Sequence, residues 1–305
     1  MLWWPTAAPQ RRQCAARPAR HAASLLLLGA LLAACGAGAQ GSGPAGDRFD
    51  LPKQLREVSG IALVDDRTLA AVQDEKGALW FVDLRGEAKA RREPFGQQGD
   101  YEGLACADGA WWVLRADGVL LRLAARDGGH AIAREVTLPG GHPDWEALAY
   151  DADGKRLLAM PKAIAGDDKD ARDRRPLYAV DPATGACVAT PVLTLSRRAL
   201  QAAILAAGVP LPTKTTDKGK EKVDFDFAVS ELAVVPGRRE VLLLLGSDRL
   251  LLRVDFAGAL LGVRARDPVL LPQPEGLAVR SDGQVLVASE GGSEGAARVV
   301  VVAMP

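Results

Sequence analysis

The sequence predicts an all-β chain folded as a β-propeller, and three observations lead there. First, one short pattern recurs: a small or acidic residue, then Gly, Ala or Glu, then Leu or Ile, then Ala, then an apolar run. Its copies are Ser59-Gly60-Ile61-Ala62, Glu102-Gly103-Leu104-Ala105, Glu146-Ala147-Leu148-Ala149, Ser230-Glu231-Leu232-Ala233 and Glu275-Gly276-Leu277-Ala278. Their first residues lie 43, 44, 84 and 45 positions apart. A period in the low forties, with the long gap about two periods, is the spacing of propeller blades of four short strands each. Second, 32 Gly and 19 Pro punctuate the 305 residues at short intervals, which leaves little room for helix. Third, the runs between them have strand length and carry aromatic or β-branched residues.

The second unit displays the blade most plainly. Residues 102–107 read as an inner strand, Asp108-Gly109 as a turn and 110–115 (AWWVLR) as a second strand. Ala116-Asp117-Gly118 turns again, 119–123 is a third strand and 131–138 a fourth. Other units repeat this at 69–73 and 78–84, 156–160 and 177–180, 240–245 and 250–254, and 284–288 and 298–302. The final unit holds three strands, and a closed ring must leave no open sheet edge. Residues 47–57 precede the first motif and are predicted to supply the missing outer strand. Between Glu146 and Ser230, residues 196–208 have a Ser cap, an apolar stripe and a terminal Gly, the marks of a helix. Residues 213–222 are polar and charged, and read as a mobile loop. Too little remains for a full extra blade. The expectation is five blades with a helical and loop insertion at about 196–222; six blades, one degenerate, is the alternative.

The first residues are of another kind. Residues 1–24 hold Arg11, Arg12, Arg17, Arg20 and His21 with no acid, and 25–34 is an apolar run. Ten apolar residues fall short of the roughly 20 that span a bilayer as helix. They fit the core of a signal peptide. The run ends in Leu32-Ala33-Ala34-Cys35, which resembles the bacterial lipobox, where the cysteine after a small-residue cleavage site receives lipid. The expected organisation is a signal peptide at 1–34, a flexible Gly/Ala/Ser-rich tether at 35–46 and the propeller at 47–305. Lipid on Cys35 would hold the chain on a membrane, at about 0.8 kcal/mol per buried CH₂. Gly36, in place of an Asp that retains lipoproteins at the inner membrane, favours the periplasmic face of an outer membrane. An ordinary secretory signal cut after Ala34 is the alternative.

Charge and composition exclude several functions. Lys+Arg number 38 and Asp+Glu 38. No basic excess exists to neutralise phosphates, so no nucleic-acid partner is expected. The only histidines are His21, His130 and His142, which all but rules out a histidine metal centre. His130 and His142 read as solvated loop residues. Beyond Cys35, Cys106 and Cys187 sit in different repeats and read as buried free thiols, with a mutual disulfide as the alternative.

Together, Val58-Ser59-Gly60-Ile61-Ala62, Gly99-Asp100-Tyr101-Glu102-Gly103, Val113-Leu114-Arg115-Ala116-Asp117-Gly118, Gln273-Pro274-Glu275-Gly276-Leu277-Ala278 and Ser289-Glu290-Gly291 resemble the SdiA-regulated family, also described as YjiK-like or calcium-regulated β-propellers. The resemblance spans most of residues 55–303. It implies a secreted or membrane-anchored propeller, with phytase-like and esterase-like propellers as distant relatives, and little chemistry. The chain departs from the pattern at Glu146-Ala147 and Ser230-Glu231, where Gly is expected, and in its insertion.

Inner strands line a propeller's channel and begin at one face. Ser59, Glu102, Glu146, Ser230 and Glu275 would therefore converge on one axis as three carboxylates and two hydroxyls. Asp74, Glu75, Asp100, Asp144, Asp248 and Glu290 fall near the same face. Converging carboxylates must protonate, pair with a base or bind a cation, and an all-oxygen set suits Ca²⁺ or Mg²⁺. The same side chains could instead hydrogen-bond neighbouring blades and serve closure alone. Arg115 and Lys162, at matching second-strand ends, could neutralise the ring. No nucleophilic triad is expected: Gly291-Gly292-Ser293-Glu294-Gly295 matches G-x-S-x-G by letter, but no histidine follows it. The G-x-G-x-x-G match at 36–41 lies in the tether and follows no strand. Trp111, Trp112 and Trp145 fit inter-blade packing, and the mixed-charge stretch 167–175 reads as a solvated loop. The expected function is a lipid-anchored, non-catalytic binding or scaffold module of the cell envelope, with Ca²⁺ at the channel mouth and an envelope protein as a further partner. A metal-assisted phosphoester or carboxylester hydrolase using the same carboxylates is the alternative.

Overall fold

The computed structural model describes residues 47–305 apart from 86–88, 163, 165–168 and 293–294. The signal peptide, Cys35, the tether with its glycine motif, and Ser293 of the G-x-S-x-G match all lie outside the described residues. Strand β1 (Arg48–Asp50) opens the chain. The first blade is β2 (Val58–Leu63), β3 (Thr68–Gln73), β4 (Lys76–Asp83) and β5 (Ala90–Gln98). The second is β6 (Tyr101–Ala107), β7 (Ala110–Arg115), β8 (Val119–Arg126) and β9 (Gly129–Thr137). The third is β10 (Trp145–Asp151), β11 (Arg156–Pro161), β12 (Arg174–Val180) and β13 (Leu193–Ser196), with a short helix α1 (Lys169–Asp173) before β12. Helix α2 (Arg197–Ala206) and the hairpin β14 (Thr213–Thr215) and β15 (Glu221–Val223) follow. The fourth blade is β16 (Glu231–Val234), β17 (Glu240–Leu245), β18 (Leu250–Asp255) and β19 (Leu260–Ala265). The fifth is β20 (Gln273–Val279), β21 (Val285–Glu290) and β22 (Arg298–Val302).

Among the described residues these form five four-stranded antiparallel sheets, the last in the order β1-β22-β21-β20. The N-terminal strand therefore closes the ring as expected, pairing Arg48 with Val300 and Asp50 with Arg298. Inner strands β2, β6, β10, β16 and β20 pack each against the next, and β20 against β2. This is a five-bladed β-propeller. No helix among the described residues is long and apolar enough to cross a membrane.

The sequence builds this ring by burying both faces of each blade. Side chains alternate along a strand. In β7, Trp111 and Val113 join the core between blades one and two, while Trp112 and Leu114 join that between blades two and three. In β17, Val241, Leu243 and Leu245 face blade three, whereas Leu242 and Leu244 face blade five. Hence the apolar runs are continuous and not alternating. Each of the five cores fills the wedge between two blades, and the three tryptophans named above are packing residues.

Helix α2 forms where the cap and terminal glycine place it. Ser196 Oγ accepts from the Ala199 amide at 3.2 Å, Gly208 takes φ +76°, and Leu200 and Ile204 turn into the core between blades three and four. Four expectations need correction. Residues 213–222 are not a loop: most of them form the β14–β15 hairpin, joined in register from Thr213 with Val223 to Thr215 with Glu221. Residues 169–175 are helix and strand, because Arg175 is drawn inside by backbone carbonyls. His130 is not solvated; it is buried on β9, with Nδ1 3.2 Å from Glu93 Oε2 on the neighbouring blade. His142 is half-buried, its Nε2 3.1 Å from the Tyr178 hydroxyl. Cys187 is a free, half-buried thiol and Cys106 is disulfide-bonded, so the two do not pair with each other and are not two free thiols.

Candidate functional site: the acidic channel mouth

The first turn of four inner strands carries a β-bulge. Pairing skips from Tyr101 to Gly103, from Trp145 to Ala147, from Pro274 to Gly276, and from Val58 to Ile61. The residues left over are Glu102, Glu146, Glu275 and the pair Ser59-Gly60. A bulge residue is released from the ladder and its side chain re-aimed. This is the local reason that equivalent carboxyls come together at one end of the channel. The residue after the bulge must be small, because a Cβ on Gly103 would lie 2.6 Å from the Leu148 Cβ of the next blade.

Blade four breaks the pattern. The Ser230 amide donates to the Leu244 carbonyl at 2.8 Å, and Glu231 pairs with Leu244 in regular register. Glu231 thus stands where the other blades have Gly60, Gly103, Ala147 and Gly276. Its side chain is buried, at 1% exposure. Oε1 accepts from the Leu148 amide of blade three at 2.8 Å and from the Leu232 amide at 2.9 Å. Oε2 is buried without a partner. Glu231 was missed as a site residue from the sequence. The available signal was an ionisable side chain at a position the repeat otherwise keeps small.

Glu102, Glu146 and Glu275 lie within reach of one another's charge, and Ser230 hydrogen-bonds Glu275. Burial raises the Glu102 carboxyl to about 9, helped by a hydrogen bond with Asp100 and the nearby charges of Glu146 and Glu275. Burial likewise lifts Glu146 to about 8, against the opposing effect of its ion pair with Lys162. Glu275 is raised by burial, with Ser230 as a hydrogen-bond partner that moderates it. Glu290 rises to about 7 through burial and the charges of Glu275 and Asp74. Burial also raises Glu231 well above its ordinary value, with Glu146 and Glu102 adding repulsion. Ser59 and Ser230 are buried. Asp74, raised by burial and by Glu57, keeps Oδ1 buried and unpartnered at the rim.

Asp248 and Arg115 do other work. The Asp248 carboxylate accepts from the amides of Asp226 and Phe227 at 3.0 and 2.9 Å, holding the end of the insertion. Arg115 pairs outward with Asp117. Both line, with Gln98, Gly99, Asp100 and Tyr101, a cavity of about 220 Å³ beside Glu102. Arg266 is buried, and its guanidinium donates to the carbonyls of Leu245 and Gly246 at 3.0 and 2.8 Å. Among the described residues no three of His, Cys, Asp and Glu are gathered as ligands of one metal ion. The carboxyls ring the mouth without closing on a point.

No protein-family model matches the chain. No curated protein matches it either. Solved structures do. The chain is similar to the crystal structure of Myxococcus xanthus glutaminyl cyclase at 16% identity, over 85% of this chain and 96% of that one, with a TM-score of 0.50. It is also similar to a streptogramin B lyase at 12% identity, over 84% and 97%, with a TM-score of 0.45. Virginiamycin B lyase from Staphylococcus aureus aligns at 13% identity over 85% and 74%, with a TM-score of 0.40. These likenesses concern the fold alone.

Proposed function

We propose that the chain is a non-catalytic binding module of the SdiA-regulated kind, held in the cell envelope by lipid on Cys35, whose channel mouth takes up a divalent cation. Ca²⁺ is the first candidate, because every converging group offers oxygen. The observation that carries the reading is Glu231 Oε2. It is a buried acceptor with no protein partner, close enough to Glu102 and Glu146 to feel their charges. A buried polar atom left unpartnered costs about 1–3 kcal/mol. A cation with part of its water shell would satisfy it and relieve the repulsion that raises the neighbouring carboxyls. Glu102, Glu146, Glu275 and Glu231 would have to draw inward from their ring around the mouth to hold that ion, with Ser59 and Ser230 as neutral oxygen donors.

The test is thermal unfolding of the purified protein in EDTA, then in millimolar Ca²⁺ or Mg²⁺. A ligand at 100 times its Kd adds about 2.7 kcal/mol, or roughly 5 °C for a chain of this size. The expected result is a rise with Ca²⁺ that Glu102→Gln removes. No shift with either ion would leave the carboxyls as closure residues.

One observation favours a second reading, hydrolysis of phosphoesters or carboxylic esters. Glu290 at about 7 is poised to accept a proton, and Glu102 at about 9 to donate one. Turnover of p-nitrophenyl phosphate or acetate that disappears in Glu290→Gln would favour it over the binding module.

A further inference from the structure

Two blades open their inner strands in the same way. Blade three reads Asp144-Trp145-Glu146 and blade two Asp100-Tyr101-Glu102, each an acid, an aromatic residue and the bulge glutamate. Their backbones match as well. The Lys162 amide donates to the Asp144 carbonyl at 3.0 Å, and the Ala116 amide to the Asp100 carbonyl at 3.0 Å. Lys162 and Ala116 each follow the residue paired with the aromatic, Pro161 opposite Trp145 and Arg115 opposite Tyr101. Blade three thus supplies its own cation: the Lys162 ammonium bonds the Glu146 carboxylate and stands in the field of Asp144. Blade two has the same two carboxyls and only the methyl group of Ala116 where the lysine would start. Its carboxyls turn to one another, Glu102 hydrogen-bonding Asp100.

Beside that pair lies open space. The cavity of about 220 Å³ is lined by Gln98, Gly99, Asp100, Tyr101, Arg115 and Asp117. Pockets for drug-sized ligands hold about 300–1,000 Å³, so its occupant is small. Arg115 is paired with Asp117 and the two charges cancel, which leaves Asp100 and Glu102 as the charge that selects a ligand. Glu231, 1% exposed, adds an Oε2 without a partner, close enough to Glu102 to feel its charge. An ammonium carries three N–H donors. It can therefore serve carboxyls that surround a space without closing on one point.

We propose that the blade-two cavity binds a small aliphatic primary amine, its ammonium set against Asp100 and Glu102 as the Lys162 ammonium is set against Glu146 in blade three. This rests on the reading of the chain as a binding module and needs no divalent ion.

Thermal unfolding in EDTA tests it, with butylamine hydrochloride as the probe and equimolar NaCl and tetramethylammonium chloride as controls. Tetramethylammonium has the same charge and no N–H. At saturating butylamine the wild type is expected to melt at least about 2 °C higher than in either control. Ala116→Lys places an ammonium in blade two from within the chain. It should melt above the wild type without amine and no longer respond to butylamine. Asp100→Asn, at an exposed side chain, should fold and lose the response, and it decides the matter if Ala116→Lys folds poorly. No shift of the wild type with butylamine, or an equal shift with tetramethylammonium, overturns the proposal. A shift that persists in full in Asp100→Asn and Ala116→Lys places the amine elsewhere and overturns it too. The response to Ca²⁺ is read in a separate melt. Loss of that response with the amine shift intact overturns the divalent reading alone, and the reverse overturns the amine site alone.

Discussion

Glu231 on blade four accepts the amide of Leu148 on blade three, joining two neighbouring inner strands at 2.8 Å. The same carboxyl oxygen takes the Leu232 amide at 2.9 Å. Glu231→Gln keeps that acceptor and should change stability by less than about 1 kcal/mol. Glu231→Gly, which restores the residue of the other repeats, strips the acceptor from two buried amides and should cost about 2–4 kcal/mol. Urea unfolding of both variants distinguishes these outcomes; equal losses would mean that the side chain only fills space.

The mouth also fixes a pH dependence. Glu102, Glu146 and Glu290 stand at about 9, 8 and 7, against 4.5 for a free carboxyl. The folded chain therefore binds more protons than the unfolded chain between about pH 4.5 and 9. These groups contribute stability fully below about pH 4.5 and lose it as pH rises through 7 to 9. The melting temperature in EDTA should fall from about pH 6 to pH 9.5. Glu102→Gln, which mimics the protonated acid, should flatten the upper part of that fall. An unchanged slope in this variant would show that Glu102 ionises freely.

These features were unequally legible in the sequence. The five-blade period could be read because four of the five blades keep the same small residue beside a bulge, and all share a doubly buried second strand. The closing strand followed from counting the strands of the last unit. Helix α2 announced itself through Ser196 and Gly208. The β14–β15 hairpin did not, since Thr213–Thr215 are all exposed and no apolar alternation marks it. The burial of His130 depends on Glu93, on another blade's outer strand, which no local pattern reports. At the mouth, Glu102, Glu146 and Glu275 stood out as repeats of one another. Glu231 did not, because one charged residue in place of glycine looks like drift until its acceptor is seen to meet Leu148.

A third prediction concerns how the insertion is anchored. Buried Arg175 donates to the carbonyls of Phe227 and Asp226 at 3.0 and 2.9 Å and lies over the Phe227 ring. Asp248 takes the amides of the same two residues, and Phe227 is held at φ +54° between them. Arg175→Lys cannot reproduce the fork, since one ammonium does not span two carbonyls and a ring face. It should cost at least about 2 kcal/mol. Asp248→Asn retains one acceptor and should cost less. Hydrogen exchange at the amides of 225–228 reads the difference directly: protection should vanish in Arg175→Lys while the blade cores keep theirs. Retained protection would show that the core contacts of Phe225 and Phe227 suffice to hold the segment.

Closure itself can be tested by removing and returning the N-terminal strand. Besides the three ladder pairs of β1, the Leu51 amide donates to the Ala297 carbonyl at 2.7 Å, and the Val301 amide to the Asp47 carbonyl at 2.9 Å. Further along, the Gly291 amide donates to the Arg56 carbonyl at 3.0 Å, and the Arg56 guanidinium to the Gly292 carbonyl at 2.6 Å. A chain beginning after residue 57 would lose all of these contacts. It would also expose the edge of β22, whose Val299 and Val300 are wholly buried. An unpaired apolar edge invites pairing with another chain. The shortened protein should therefore self-associate and lose its sharp thermal transition. A synthetic peptide of residues 47–57 should add back as a strand, restoring both the monomer and the cooperative melt. If the shortened chain melts sharply as a monomer without the peptide, the four remaining blades and three strands hold the ring by their wedge cores, and the N-terminal strand is not needed for closure.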